Sequence, residues 1–204
     1  MRVRAAARLP RSFYLRDALE VAEGLLGMVL VRGEVALRIT EVEAYRPGDS
    51  ASHCRAGRTE RNAPMWGPGG HAYVYLCYGV HQMLNIVTGP SGQGAAVLVR
   101  ACEPVRGLPT IRARRGGLDG PGLLAGPGKV GAALAIDTSW SGHALFRAGG
   151  LELVRGVPPA FVLEGPRVGV DYARPEDRDA PWRLAAGDSA SVSQRARLRP
   201  RSRP

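Results

Sequence analysis

Glycine and proline punctuate this chain so densely, at 27 and 16 of its 204 positions, that a helical bundle or a coiled coil is excluded. What remains is a loop-rich mixed fold of short elements, and at this length one domain rather than two. Hydrophobic residues make up 45% of the chain, enough for a sizeable core. The apolar runs at 24–31 and 130–136 fall far short of the roughly 18–20 residues of a membrane span. Near the N-terminus, Arg2, Arg4 and Arg8 surround only three alanines, so the apolar centre of a secretory signal is missing and a cytoplasmic, nucleoid-associated protein is expected. Cys54, Cys77 and Cys102 lie far apart with no Cys-x-x-Cys pair, which reads as buried thiols rather than disulfides or a zinc site.

The net charge of +10 is unevenly spread. Residues 1–11 and 195–204 hold nine arginines and no acid, so the termini supply all but one of the ten charges. Between them, residues 46–115 carry nine arginines against three acids while both flanks are net acidic, so one internal segment is selectively basic. All but one of the 28 basic residues are arginine, which pairs bidentately with phosphate. Nucleic acid and a GC-rich codon bias explain that preference equally well.

Apolar spacing predicts a helix over 17–26 and strands over 28–31 and 35–43, turning at Gly33. Residues 46–71 then form a long irregular stretch rich in Gly, Pro, Ser and Arg, and loops of that length inside compact domains are usually functional. A hairpin is expected from 72–76 and 82–87 with Tyr78-Gly79 at its tip, followed by a buried strand at 95–101. Helices are expected at 104–115 and 128–136, and strands at 151–155, 167–170 and 182–184. The last ten residues, with arginine at every second position and no hydrophobic face, read as a disordered tail that adds nonspecific affinity.

Alternation along the strand that ends at Tyr45 puts Glu41, Glu43 and Tyr45 on one face. Paired carboxylates there fit either a solvated strand face or a general base with an aromatic wall. Tyr73, Tyr75 and Tyr78, half of all tyrosines, cluster with His81 around the hairpin, as core or as a platform for stacking on bases. Gly126-Pro-Gly-Lys129 fails as a nucleotide P-loop, since Leu123 stands where the first glycine belongs and Val130 follows the lysine. It still offers backbone N–H groups and Lys129 to a phosphate of a polymer. His53, His71, His81 and His143 lack metal-ligand spacing, so no metal is expected. No Gly-x-Ser-x-Gly occurs and Lys129 is the only lysine, which leaves activated water as the simplest nucleophile.

Several motifs in order resemble the alkyladenine (3-methyladenine or methylpurine) DNA glycosylase family. They are Glu41-Val-Glu-Ala-Tyr45, Ala51-Ser-His53, Arg58-Thr-Glu-Arg-Asn-Ala-Pro-Met65, Gly70-His-Ala-Tyr-Val-Tyr75, Tyr78-Gly79, Leu84-Asn85, Ala96-Val-Leu-Val-Arg-Ala-Cys-Glu-Pro104 and Gly126-Pro-Gly-Lys129. Weaker similarity, including Arg167-Val-Gly-Val170, extends the match over about residues 12–190. The resemblance implies a single α+β domain with a curved antiparallel sheet core, like the C-terminal domain of formyltransferases. Residues 1–11 would be a basic arm, 12–190 the glycosylase domain, and 191–204 the disordered tail.

The implied activity is monofunctional excision of alkylated or deaminated purines, flipped out of double-stranded DNA, by a monomer without a cofactor or a membrane partner. Glu43 is implied as the general base and Arg100 as the residue that helps it hold the attacking water. Tyr45, His53 and Tyr75 would wall the extruded base, Asn85 would gate specificity, and Tyr78 would enter the DNA. Arg58, Arg61 and Lys129 would meet the DNA backbone, and Glu41 would tolerate neutralisation. Two departures touch the pocket rim: the spacer between Tyr45 and His53 is one residue shorter than in vertebrate members, and His81 stands where tyrosine is common. The rival readings are a non-catalytic binder of distorted nucleic acid and an RNA-binding domain of the same architecture. Neither has a use for Glu43 buried against a sugar, where desolvating it would cost stability.

Overall fold

The computed structural model describes residues 7–202. Its centre is an open antiparallel sheet, and the order of strands follows from one long strand that pairs on both sides. The strands are β1 (Val29–Arg32), β2 (Val35–Tyr45), β3 (Ala72–Cys77), β4 (His81–Thr88), β5 (Ala95–Arg106), β6 (Leu151–Val154), β7 (Val162–Gly165), β8 (Arg183–Ala186) and β9 (Arg199–Pro200). They lie in the order β3-β4-β5-β2-β8-β7-β9, with β1 pairing both β2 and β6. Strand β2 spends its first half on β1, its second half on β8, and nearly its whole length on β5.

Helices α2 (Ala18–Leu25), α3 (Leu108–Arg114) and α4 (Pro127–Leu134) cover one face of the sheet; single turns α1 (Arg11–Tyr14) and α5 (Pro175–Arg178) complete the helical set. Asp17 caps α2, its carboxylate accepting from the Leu19 amide, and Val21, Ala22 and Leu25 are buried. The covered face is aliphatic: Val42 and Ala44 of β2, Val97 and Val99 of β5, and Leu84 and Ile86 of β4 join one core. The alternate residues of the same strands face the other way. Helix α4 sits close on β4 because Gly128 and Gly131 lack side chains; a Cβ on Gly131 would stand 2.0 Å from the Gln82 carbonyl. Gly128 of the 126–129 motif thus has a packing role of its own, since a Cβ there would stand 2.8 Å from the His81 ring.

Several expectations are corrected. Strand β5 runs on to Arg106, so the helix expected from 104 begins at Leu108, after Gly107 turns with φ +80°. Residues 167–170 are a loop, not a strand: Gly169 has φ +76°, and the Arg167 guanidinium turns inward to the Asp49 carboxylate. The neighbouring strand is β7, which stops at Gly165.

The tail is ordered over 191–202 instead of disordered. Strand β9 pairs with β7, Arg195 donates to the Ser189 and Gly187 carbonyls at 2.8 and 2.6 Å, and Arg201 meets Glu164 and Glu23 at 3.4 and 3.6 Å. Non-local acceptors, invisible in a local charge pattern, hold it down. Of the expected basic arm, Arg8 bonds Glu152 at 2.5 Å and bridges to Val154, while residues 1–6 lie outside the described part of the chain. No helix among the described residues is long and apolar enough to cross a membrane.

Candidate active site

A single row of residues across five strands builds the site. Tyr73 pairs with Asn85, Asn85 with Leu98, Leu98 with Glu43, and Glu43 with Arg183, so side chains from β3, β4, β5, β2 and β8 stand side by side. Antiparallel partners directly opposite point to the same face, here the one away from the helices. Two segments fold over this row. Residues 46–71 bring Ala51, His53, Arg61 and Met65, and the loop after β7 brings Val168, Gly169, Val170 and Tyr172. Between them lies a cleft of about 590 Å³, within the range of about 300–1,000 Å³ usual for small-molecule sites.

Hydrogen bonds inside the long loop fix its course. Asn62 donates to the His53 and Gly57 carbonyls, both at 2.9 Å, and its Oδ1 accepts from the Thr59 amide at 2.7 Å and the Trp66 indole at 3.2 Å. Asp49 and Arg167 form a buried ion pair joining the two covering segments. Tyr172 adds a second tie, its hydroxyl donating to the Ala51 carbonyl at 2.9 Å.

Glu43 is fully buried, which removes the solvated-face reading. Its Oε1 accepts from the Val168 amide at 2.8 Å, its Oε2 from the Tyr45 hydroxyl at 3.0 Å, and Arg100 Nη1 stands 3.3 Å away. Arg100, 8% exposed, sits at an irregularity of β5: Ala101 pairs with Glu41 and Val99 with Val42, so Arg100 has no partner in register. Bulges of this kind re-aim a side chain. Glu41 is also fully buried and is held mainly by Arg183, whose Nε donates to it at 2.6 Å. Burial holds the Glu41 carboxyl above its ordinary range, although Arg183, the Ser193 amide and Arg100 oppose that rise.

The aromatic walls stand beside this pair. His53 packs edge-on against Tyr75 with centroids 4.5 Å apart, and its Nδ1 lies 3.0 Å from the Tyr73 hydroxyl. Burial, helped by Arg61 and Arg55, holds the His53 pKa below its ordinary value, which keeps the ring neutral at neutral pH. Burial drives the Tyr45 phenol well above its usual range, and Glu43 adds to that. Arg167 lies over the Tyr45 ring at 4.6 Å. Tyr73 is core, with its phenol pushed up to about 12 by burial, and so answers the platform question differently from its neighbours.

Asn85, 4% exposed, donates from Nδ2 to the Tyr73 and Met83 carbonyls at 3.2 and 3.4 Å and lines the cleft. Tyr78 stands at the hairpin tip beside the mouth, 92% exposed, with φ +51°. Arg61 borders the cleft with its guanidinium 5.9 Å from the Tyr75 ring centre, and Arg58 is exposed nearby on the same loop. Lys129 is turned to the Gly122 carbonyl at 2.8 Å, although Pro127 of the same motif lines the cleft. No group of three or more His, Cys, Asp or Glu among the described residues is arranged to hold a metal ion.

Sequence reasoning missed Val168, Tyr172, Arg183 and Ser193. The only signal for the first was the Arg167-Val-Gly-Val170 match, whose strand-like alternation misled. Arg183 is 142 residues from its partner Glu41, so no local pattern reveals it.

A family model described as "Methylpurine-DNA glycosylase (MPG)" matches residues 12–190. A protein of Nitrosococcus oceani named "Putative 3-methyladenine DNA glycosylase" is 63% identical over 95% of this chain and 96% of its own length. An Arabidopsis thaliana protein named "DNA-3-methyladenine glycosylase" is 57% identical over 91% of this chain and 74% of its own. A Methanoculleus marisnigri protein carrying the first of these names is 46% identical over 92% and 99%.

Proposed function

Since the chain belongs to the methylpurine-DNA glycosylase family, hydrolases of the N-glycosidic bond, we propose that it extrudes damaged purines from duplex DNA into the cleft and releases them with water activated by Glu43. The observation that carries this reading is a fully buried carboxylate, Glu43, opening on an aromatic-walled cleft with one guanidinium, Arg100, beside it.

A base within a duplex is unreachable, so it must be unstacked at a cost of a few kcal/mol and rebound between rings. Tyr45, His53 and Tyr75 receive it, while Tyr78 fills the gap left in the stack. The bond breaks with positive charge growing on the sugar, which the Glu43 carboxylate stabilises while it takes a proton from water. Arg100 steadies that water from the other side. Asn85 meets the purine edge, and Arg58, Arg61 and Lys129 line the approach of the backbone. Alkylated purines leave readily because they already carry positive charge; deaminated purines such as hypoxanthine are the second substrate class. The single lysine of the chain is turned to Gly122, which leaves no side-chain amine for lyase chemistry at the cleft.

The test is incubation with duplex oligonucleotides carrying hypoxanthine, ethenoadenine or methylated purines, followed by alkali. Strand breaks that appear only after alkali are expected; no base release from any of them overturns the reading. Glu43→Gln is expected to keep lesion binding and lose at least the 10²–10⁴-fold that general-base help is worth. An active Glu43→Gln enzyme removes the assignment of the base.

A further inference from the structure

We infer that Glu41, together with Arg183 and Ser193, is the positioning element of the reaction centre: it grips the Nε edge of Arg100 so that the opposite edge of the guanidinium stays turned to Glu43. The inference rests on the reading of Glu43 as the base. It goes beyond that reading, and replaces the expectation that Glu41 would tolerate neutralisation, by assigning work to a second carboxylate, a second arginine and the start of the C-terminal segment.

Arg100 touches three groups. Its Nε lies 3.1 Å from the Ser193 hydroxyl and 3.3 Å from Glu41 Oε1, and its Nη1 lies 3.3 Å from Glu43 Oε1. Because Arg100 has no partner in the ladder opposite it, these contacts set its direction. Both ion-pair distances are long beside the roughly 2.7–2.9 Å of a strong charge-assisted bond. Glu41 makes its short bonds elsewhere: to Arg183 Nε and the Ser193 amide, both at 2.6 Å, and to the Ser193 hydroxyl at 2.9 Å. Arg183 also donates to the Ser193 carbonyl, closing the ring.

The charges explain why two arginines are needed. Arg183, fully buried, cancels Glu41, so Glu41 steers Arg100 without consuming its charge, which is left for Glu43. Without Arg183, Glu41 would be an uncompensated buried anion and would draw Arg100 away from the base. The groups facing Glu43 are Tyr45 on β2, Tyr75 on β3, Arg100 on β5, Arg183 opposite it on β8, and Arg167 with the Val168 amide on the covering loop. Of these, Arg100 is the cation in direct contact with the carboxylate, and its placement depends on Glu41. Ser193 belongs to the ordered stretch 191–202, so that stretch reaches the reaction centre through one serine.

Single-turnover excision and lesion-duplex affinity of the full chain across pH test this. Ser193→Ala removes the hydroxyl that bridges Glu41 and Arg100 but keeps the amide; excision is expected to slow about tenfold, with duplex affinity within about twofold, the usual worth of one charged hydrogen bond. Ser193→Thr is expected to restore the rate. Arg183→Gln is expected to move the acid limb of the rate profile to higher pH, since Arg100 is then drawn toward the uncompensated Glu41, and Arg183→Lys is expected to bring the limb back. If Arg183→Gln does not fold, Ser193→Ala and its rescue decide alone. Wild-type excision by Ser193→Ala, or an unmoved limb in folded Arg183→Gln, overturns the positioning role. Glu43→Gln separates the two failures: if it is inactive while those variants behave as wild type, only the positioning role falls, and if it is active, the assignment of Glu43 as the base falls with it.

Discussion

Asn85 is a side chain pinned at the edge of the cleft by its own hairpin. Its Nδ2 is committed to two main-chain carbonyls of the hairpin, so the amide cannot turn freely to suit whatever base arrives. Guanine differs from adenine and hypoxanthine by an exocyclic amino group on the edge that Asn85 would face in the proposed function, where a fixed amide would exclude it. Asn85→Ala is expected to raise excision of guanine lesions relative to hypoxanthine about tenfold, read as the ratio of single-turnover rates on matched duplexes; an unchanged ratio removes the gate. The residue types of this site were readable in advance because strand alternation alone puts Glu41, Glu43 and Tyr45 on one face. Their burial was not readable. An acidic pair on a strand looks solvated unless its cations are known, and Arg100, Arg183 and the Val168 amide reach it from strands and loops far along the chain.

At the level of elements, the hairpin of β3 and β4 carries the most exposed aromatic in the site. Tyr78 holds a left-handed backbone, which costs a non-glycine residue about 1–2 kcal/mol, so the turn is kept with a bulky ring where glycine would be easier. Tyr78→Ala is expected to lower the extruded fraction by the 1–3 kcal/mol of one base–aromatic stack, measured by 2-aminopurine fluorescence beside the lesion. Unchanged flipping would remove the wedge. Where α4 packs on β4, Gly131→Ala is expected to destabilise the protein by about 1–3 kcal/mol, seen as a lower midpoint in urea, because its Cβ would run into the Gln82 carbonyl. The hairpin was legible from its period-two pattern and turn residues. The close approach of α4 was not, since Gly128 also read as part of a phosphate-binding motif and only the packed partner decides.

Over the whole molecule, the basic C-terminus has two jobs that charge counting merged into one. Arg195 and Arg201 turn inward to carbonyls and acids of the fold, while the Arg199 side chain stays 75% exposed and Arg197 is exposed beside it. Removing residues 194–204 is therefore expected to lower the melting temperature as well as to flatten the salt dependence of binding to undamaged DNA. With Arg195 and Arg201 turned inward, at most three of the five arginines are left for phosphate, which corresponds to a change of up to about 2.7 in the log–log slope, against about 4.5 if all five met it. A truncated chain with an unaltered melting temperature would return the tail to a purely electrostatic role. The sheet order also separates its parts by how readily they open. Strand β2 is hydrogen-bonded to β1, β5 and β8, whereas the hairpin that carries Tyr73, Tyr75 and Tyr78 lies at one end of the strand order. Segments with fewer paired neighbours unfold locally at lower free energy. In amide exchange, the hairpin would thus take up deuterium through partial openings that leave Glu41 and Glu43 protected, so that under the proposed function the wall could loosen around a base without dismantling the carboxylate.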